Sequence, residues 1–256
     1  MCLLAVAWNT HPRWQLVMAG NRDEAHERPT AALAAWADRP QVLAGRDLRS
    51  GGTWAGLDTA GRMTVVTNVR DPRIVVPQAP SRGALAADFL GGGQSAGAYA
   101  RVVEAEAGAY APFNLLVADA NVCEYVSNYP HPRRTMLADG IHGLSNGDLD
   151  EPWPKTRRLM QVMSDWVSSR REDVDLLWRG LADEHLAADG DLPDTGVGLE
   201  RERLLSAAFI RNPVYGTRAS TIIAIDHQGH GWISERRFAP DGTLLGETTL
   251  KNRLAL

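Results

Sequence analysis

One of the two cysteines in this chain occupies position 2, directly after the initiator methionine. Removal of Met1 would place a thiol and a free α-amino group on the same residue. An α-amine has a pKa of about 7.7 to 8.0 and a free thiol about 8.5, so the amine can accept the thiol proton near neutral pH. Nucleophiles activated in this way carry out acyl transfer. A cysteine at this place can equally be a small apolar residue packed in a strand, and position alone favours that second interpretation.

Four consecutive polar residues follow the second apolar run of the chain and form the sequence Asn21-Arg22-Asp23-Glu24. Placed at the end of a strand, their side chains can face the first residue of the preceding strand. Such residues can pair with each other and hold a carboxylate or phosphate of a substrate. A solvated loop has the same composition, so these residues are candidates for substrate binding and no more at this point.

Two asparagines also stand at predicted strand ends. Asn68 closes the apolar run at 65–67, and Asn146 follows the run at 141–144. Side-chain amides in such places can donate hydrogen bonds to an oxyanion, although strand-end asparagines are also common turn formers. Arg218 precedes a later apolar run and is a candidate for neutralising a substrate or orienting the N-terminus. Trp54 lies beside glycines that permit close approach of a ligand, so it is a candidate pocket residue.

The composition excludes several classes of protein. The 256 residues carry 27 basic and 31 acidic side chains, a formal charge of -4, which gives no basic surplus for nucleic-acid binding. Two cysteines cannot form a disulfide scaffold, and they indicate a reducing compartment. His227 and His230 lack a third ligand in register, so no metal site is expected. No window reaches the roughly 18 apolar residues of a membrane span, and the start lacks a signal-peptide pattern. We therefore expect a soluble cytoplasmic protein.

The candidate residues must be positioned by strands at both ends of the chain. Apolar runs predict strands at 2–8, 14–19, 53–57, 63–67, 114–118, 123–127 and 141–144, and again at 221–225, 231–238 and 244–250. Alanine-rich segments between 81 and 108 predict two helices, and apolar residues spaced i, i+3, i+4, i+7 predict helices between 155 and 183. Strict alternation of strand and helix is missing, so the pattern favours an α+β layered sandwich in one domain spanning residues 1–256.

A set of short motifs stands in order along nearly the whole chain. The motifs are Met1-Cys2-Leu3-Leu4, Gly20-Asn21-Arg22-Asp23-Glu24, Glu27-Arg28-Pro29, Gly45-Arg46-Asp47, Gly51-Gly52-Thr53-Trp54-Ala55-Gly56, Thr67-Asn68, Phe113-Asn114-Leu115-Leu116, His142-Gly143-Leu144-Ser145-Asn146, Pro152-Trp153-Pro154-Lys155 and Tyr215-Gly216-Thr217-Arg218. Together they resemble the NRDE family, the family of the transport and Golgi organisation protein 2. The resemblance implies the four-layer αββα sandwich of the N-terminal nucleophile hydrolases, which agrees with the pattern of elements.

More distantly, the sequence looks like the bile salt hydrolase and penicillin V acylase branch of these hydrolases. That resemblance implies Cys2 as the nucleophile and Asp23 as the residue that holds the α-amine. It implies Asn68 and Asn146 as the oxyanion asparagines and Arg218 as a late assisting arginine. The hydrolases have the order Arg-Asn-x-Asp, whereas here Gly20 precedes Asn21 and the arginine is Arg22. The departure predicts a different orientation of a substrate from that in these hydrolases.

The sequence therefore predicts a hydrolase with an N-terminal cysteine nucleophile that acts on a linear amide. Its catalytic residues are Cys2, Asp23, Asn68, Asn146 and Arg218, and Asn21, Arg22, Glu24 and Trp54 contribute to substrate binding. The alternative is a carrier of the same fold for a hydrophobic ligand such as haem or an acyl-CoA, in keeping with the family's links to haem trafficking and lipid metabolism. A third hypothesis makes Cys2 structural and the protein an interaction module. No cofactor, metal, nucleic acid or membrane-spanning segment is expected, and haem enters only as a ligand of the carrier.

Overall fold

The computed structural model describes residues 3–252, so Cys2 lies outside the described residues. Antiparallel strands are the main regular elements of this range, with helices in two groups between them. The strands are β1 (Leu3–Trp8), β2 (Trp14–Ala25), β3 (Thr30–Ala35), β4 (Val42–Asp47), β5 (Ala55–Asp58), β6 (Met63–Asn68), β7 (Phe113–Ala118), β8 (Cys123–Ser127), β9 (Arg133–Met136), β10 (Gly140–Leu144), β11 (Tyr215–Asp226), β12 (Gly231–Phe238) and β13 (Leu244–Lys251). The α-helices are α1 (Arg82–Gly91), α2 (Ala96–Glu106), α3 (Pro154–Ser169), α4 (Asp175–Leu181) and α5 (Leu199–Leu204).

The strands form two antiparallel sheets. Sheet 1 has the order β10-β1-β2-β11-β12-β13, and sheet 2 has the order β3-β4-β5-β6-β7-β8-β9. In sheet 1, Leu3 lies opposite Asn21 on β2, and Leu4 lies opposite Leu144 on β10. The start of β1 therefore lies between residues 21–24 of β2 and the end of β10, close to the polar residues of β2 and to those that follow β10.

The two sheets pack face to face, and each carries helices on its outer face. Between the sheets, alternate residues of the strands form one apolar core that includes Val6, Met18, Val65, Leu116 and Ile223. On the outer face of sheet 1, the apolar stripe of α3 with Leu159, Met163 and Trp166 packs on β1, β2 and β11. On the outer face of sheet 2, Leu85 and Phe89 of α1 pack on β6 and β7. The layers are thus α, β, β and α, and the α+β four-layer αββα sandwich is confirmed.

Two strands are longer than the apolar pattern predicts. The apolar run of β2 ends at Ala19, yet the strand continues to Ala25, so residues 21–24 lie inside a strand and not in a loop after it. The reason is pairing: β11 begins at Tyr215 and pairs with β2 as far as Ala25, which satisfies the backbone of both segments. The strands β3, β4 and β9 were not predicted either. The sequence of β3 is rich in alanine and therefore favours a helix, and pairing with β4 overrides this preference.

Among residues 3–252, no helix is both long enough and apolar enough to cross a membrane.

Candidate functional site

A cavity of about 730 Å³ opens at the end of β2, beside the end of β6 and the start of α1. Its wall is rich in charged side chains, with four arginines and three carboxylates among the residues that line it. The residues that line the cavity include Arg22, Asp23, Glu24, Arg28, Asp47, Arg49, Trp54, Asn68, Arg82 and Tyr215.

Asp23 is a buried carboxylate at the cavity wall. Its Oδ1 accepts a hydrogen bond of 2.7 Å from the hydroxyl of Thr217 on β11. The same hydroxyl oxygen accepts the backbone N–H of Ile210 at 2.9 Å, so the threonine is itself fixed. The hydroxyl of Tyr215 donates to the backbone oxygen of Asp23 at 3.3 Å. The orientation of the carboxylate is therefore set by the neighbouring strand before any ligand binds.

Arg218 lies at a β-bulge next to this contact. The pairing of β2 and β11 shifts between Thr217, opposite Asp23, and Ala219, opposite Arg22, so Arg218 is the extra residue. Its Nη1 donates to two backbone oxygens of the turn after β2, at 2.9 Å to Ala25 and 3.1 Å to Arg28. Burial lowers the pKa of this guanidinium. Arg218 thus supports the turn and does not line the cavity, whereas Thr217 contacts Asp23 directly.

The structure brings the two candidate asparagines into contact. The side-chain Nδ2 of Asn146 donates to the backbone oxygen of Asn68 at 3.0 Å and to its Oδ1 at 3.1 Å. Asn146 is buried and does not line the cavity, whereas Asn68 does. Among residues 3–252, the Nδ2 of Asn68 has a single contact, a long one of 3.4 Å to the backbone oxygen of Val69. Asn68 is therefore the asparagine at the cavity wall, and Asn146 holds it from behind.

Arg22, Glu24 and Trp54 also meet at the cavity. The guanidinium of Arg22 stacks over the indole ring of Trp54, with 4.4 Å from Cζ to the ring centroid. Glu24 lies 3.9 Å from Arg22 and 3.7 Å from Arg28, measured from Oε2 to the nearest guanidinium nitrogen. The indole lies against Gly45, where a side chain would collide with it. Three of the four predicted substrate-binding residues are thus brought together.

Asn21 is the predicted binding residue that the structure places elsewhere. It is fully buried on the face of β2 that carries the helices. Its Nδ2 donates to the backbone oxygens of Leu181 and Ala208, each at 2.7 Å, and its Oδ1 accepts from the hydroxyl of Ser220 at 2.6 Å. The side-chain amide of Asn21 is therefore satisfied by groups of the protein interior. These hydrogen bonds join β2 to the end of α4 and to the segment before β11.

A second charged group lines the outer part of the cavity. Arg28 donates to Oδ2 of Asp47 from Nε at 2.9 Å and from Nη2 at 2.7 Å. This hydrogen-bonded pair raises the pKa of Arg28. Burial alone would raise the pKa of Asp47, but the hydrogen bonds from Arg28 and from the backbone of Arg49 outweigh it, and the pKa is lowered. Arg49 is exposed and, among residues 3–252, makes no ion pair within 4.0 Å.

In the described part of the chain, no three His, Cys, Asp or Glu side chains come together in a way that could hold a metal ion.

The family comparison agrees with the motifs. The family model described as Transport and Golgi organisation 2 matches residues 1–240. The chain belongs to this family. The Transport and Golgi organization protein 2 homolog of Bos taurus is 34% identical over 97% of both chains, and that of Homo sapiens is 32% identical over 92% of both. The Transport and Golgi organization protein 2 of Drosophila melanogaster is 25% identical over 89% of both.

A solved structure has the same fold. The Caenorhabditis elegans N-acylethanolamine-hydrolyzing acid amidase ortholog matches with a TM-score of 0.51 and 12% sequence identity, over 87% of this chain and 92% of that one. At this identity the match bears on the fold alone. It confirms the predicted architecture of the N-terminal nucleophile hydrolase type.

Several residues that line the cavity or contact its wall were not predicted as site residues. Thr217, Asp47 and Arg28 each stand in a motif shared with the family, and that was the available signal. The side chain of Arg46, next to Asp47, pairs with Asp38 and is turned away from the cavity. Arg49 belongs to no motif, so its place at the cavity could be found only from the folded structure.

Proposed function

We propose that this protein is an amidohydrolase whose nucleophile is Cys2 after removal of Met1. The observation that carries the proposal is the arrangement at the start of β1. Leu3, the residue bonded to Cys2, lies opposite Asn21, and the next residues of β2 are Arg22 and Asp23 at the wall of a charged cavity. A carboxylate and an amide donor, Asp23 and Asn68, thus line one cavity at the end of the sheet where β1 begins.

The chemistry follows from these groups. The α-amine of Cys2 accepts the thiol proton, and the thiolate sulfur attacks the carbonyl carbon of an amide. The carbonyl oxygen becomes an oxyanion, which the Nδ2 of Asn68 stabilises as a hydrogen-bond donor. Collapse of this intermediate breaks the C–N bond, and the leaving amine takes the proton from the α-ammonium group. Water, deprotonated by the same amine, then hydrolyses the thioester and regenerates the thiol.

Asp23 and Asn146 act on these groups from behind. Asp23, fixed by Thr217, holds the protonated α-amine through a charge-assisted hydrogen bond. Asn146 directs Asn68, because both of its amide hydrogens face Asn68 oxygens. Arg218 has a supporting role at the turn after β2. The resemblance alone implied a direct role for Asn146 and Arg218, and the geometry favours indirect ones.

The charged wall favours a polar substrate over a purely apolar ligand. An apolar ligand that filled the cavity would remove the exposed Arg49 and the partly exposed Glu24 and Arg28 from water with no new partner, which costs free energy. Arg49 at the mouth can pair with an anionic group of a substrate. These features support hydrolysis of a small amide over the carrier of haem or an acyl-CoA, and the solved relative of this fold hydrolyses N-acylethanolamines. A cytoplasmic location stays a prediction.

Mass spectrometry of the purified protein and an amide panel test the proposal. Met1 is expected to be absent, and Cys2→Ala is expected to abolish turnover. Cys123→Ala is the matched control, since burial raises the pKa of that thiol and keeps it unreactive. Full retention of Met1 in folded protein would contradict the mechanism. Undiminished binding of haem or acyl-CoA by Cys2→Ala, with no turnover by the wild type, would favour the carrier.

A further inference from the structure

Behind the asparagine pair lies a buried ion pair that the proposed chemistry does not use. Nη1 of Arg70 donates to Oε2 of Glu202 on α5 at 2.8 Å, and the side chains are only 10% and 4% exposed. The guanidinium also lies over the ring of Trp153, 5.1 Å from its centroid. Buried charges are costly unless they are fully paired, so we expect an ion pair buried at this position to have a specific role.

Both ends of the pair are fixed by further hydrogen bonds. The other carboxylate oxygen of Glu202 accepts the backbone N–H of Thr195 at 2.9 Å and its hydroxyl at 2.5 Å. On the other side, Nη2 of Arg70 donates to Oδ1 of Asn146 at 3.2 Å. The backbone N–H of Arg70 donates to the backbone oxygen of Asn146 at 2.7 Å. Arg70 thus connects α5 and the segment at Thr195 with the asparagine behind the cavity.

The contact with Arg70 determines which way the amide of Asn146 points. A guanidinium has only donors, so the side-chain oxygen of Asn146 must face it. The amide nitrogen then faces Asn68, where two oxygens accept its hydrogens. The reversed amide would set its hydrogens against the guanidinium and its oxygen against both oxygens of Asn68. Every one of these contacts would become repulsive.

The orientation of Asn146 also determines that of Asn68. The Oδ1 of Asn68 accepts from Asn146, so its own amide is turned with Oδ1 inward and Nδ2 away from Asn146. We propose that Arg70, anchored by Glu202, is a positioning residue that orients the cavity amide of Asn68 through Asn146. The orientation depends only on these contacts, whereas its effect on catalysis rests on the proposed function.

The test replaces the buried pair without leaving a charge unpaired. The double variant Arg70→Met/Glu202→Leu removes both charges and deletes the donor to Asn146, and apolar replacement of a buried ion pair is often tolerated. The control is Arg203→Met/Asp189→Leu, an exposed ion pair that also involves α5 but touches neither asparagine. The side-chain amide resonances of Asn68 and Asn146 are followed by two-dimensional NMR and assigned by their loss in Asn68→Leu and Asn146→Leu.

In the double variant, the Asn68 and Asn146 resonances are expected to move toward the values of exposed amides, while the control leaves them in place. With a substrate from the amide panel, kcat is expected to fall at least 10-fold with little change in KM, since loss of an oxyanion donor costs about 10²- to 10³-fold. Unchanged resonances in a folded double variant would overturn the inference. If the wild type hydrolyses no amide, the proposed function fails, and the NMR result still decides the orientation.

If the double variant does not fold, Arg70→Lys decides the question. Lysine keeps the charge beside Glu202 but lacks the planar fork that reaches both partners. The Asn68 resonances are expected to shift in this variant as well, and their identity with the wild type would overturn the role of Arg70.

Discussion

Gly45 on β4 is the residue whose substitution most directly tests the packing of the cavity. A Cβ atom at this position would lie 2.3 Å from Cη2 and 2.4 Å from Cζ2 of Trp54. Carbon atoms in contact are normally about 3.5 Å apart, so the indole or the strand must move by about 1.2 Å, the difference between these distances. Trp54 lines the cavity and stacks on Arg22, so in Gly45→Ala the displacement reaches the site itself.

Overpacking of this kind costs about 1 to 3 kcal/mol of unfolding free energy. For a chain of this size, each kcal/mol lowers Tm by about 2 to 4 °C, so Gly45→Ala is expected to lower Tm by about 2 to 12 °C in thermal denaturation followed by circular dichroism. Gly93→Ala is the matched control, because apart from the chain neighbours no heavy atom of residues 3–252 lies within 4 Å of a Cβ there, and the backbone is not left-handed. Its Tm is expected to equal or slightly exceed that of the wild type.

A second substitution separates the collision from other effects of the added methyl group. Phenylalanine at position 54 lacks the outer ring atoms that the Cβ would meet, so Gly45→Ala/Trp54→Phe is expected to be more stable than the sum of the two single effects. If the two changes are additive, or if Gly45→Ala behaves like Gly93→Ala, the collision between this strand and the indole does not control the site.

Three further predictions concern side chains around the cavity. Asn21→Ala removes the donor to Leu181 and Ala208 and is expected to lower the free energy of unfolding by about 2 to 5 kcal/mol in urea denaturation. The control is Asn121→Ala at an exposed position, which is expected to cost less than about 0.5 kcal/mol. Equal effects of the two substitutions would contradict the structural role of Asn21. Thr217→Val removes the hydroxyl that binds Asp23 and is expected to lower the free energy of unfolding by about 1 to 3 kcal/mol. Thr217→Ser keeps the hydroxyl and is expected to retain most of the stability. A valine variant as stable as the serine variant would refute this role of the hydroxyl. His142 contacts Oδ2 of Asp150 at 2.8 Å and the backbone oxygen of Ala138 at 3.0 Å, so its pKa is raised, chiefly by Asp150. The contribution of His142 to stability is therefore fully present below about pH 6.5 and is lost as pH rises through the folded pKa. The Tm difference between wild type and His142→Gln is expected to shrink between pH 6 and 8.5. A constant difference would disprove the linkage.

Much of the fold follows from local patterns in the sequence. The continuous apolar run before Trp8 predicts a strand buried on both faces, and β1 is buried throughout. The spacing of Leu159, Met163 and Trp166 predicts a helix with one apolar stripe, and α3 buries these residues. The strand β3 could not be predicted in this way, because its alanines favour a helix locally and only pairing with β4 makes them a strand.

The sequence predicts several of the residues that form the site but not how their side chains are arranged. Asp23, Asn68, Glu24 and Trp54 are at the cavity as the motifs indicate. The exchange of roles between Thr217 and Arg218 depends on a bulge, which shifts the register by one residue and sends the arginine to the turn after β2. Local sequence gives no sign of such a bulge. The link from Asn146 through Arg70 to Glu202 was also hidden, because Arg70 and Glu202 are 132 positions apart.

The four polar residues 21–24 show why a motif in a strand has more than one role. Successive side chains of a strand point to opposite faces, so Arg22 and Glu24 share the face toward Trp54, and Asn21 lies on the face that carries the helices. Asn21 binds the backbone oxygen of Ala208, and Asp23, through Thr217, is linked to the backbone N–H of Ile210. The motif therefore joins the cavity to the segment before β11. Substitution of Asn21 should consequently reduce stability first, whereas substitution of Arg22 or Glu24 should alter the cavity while the fold persists.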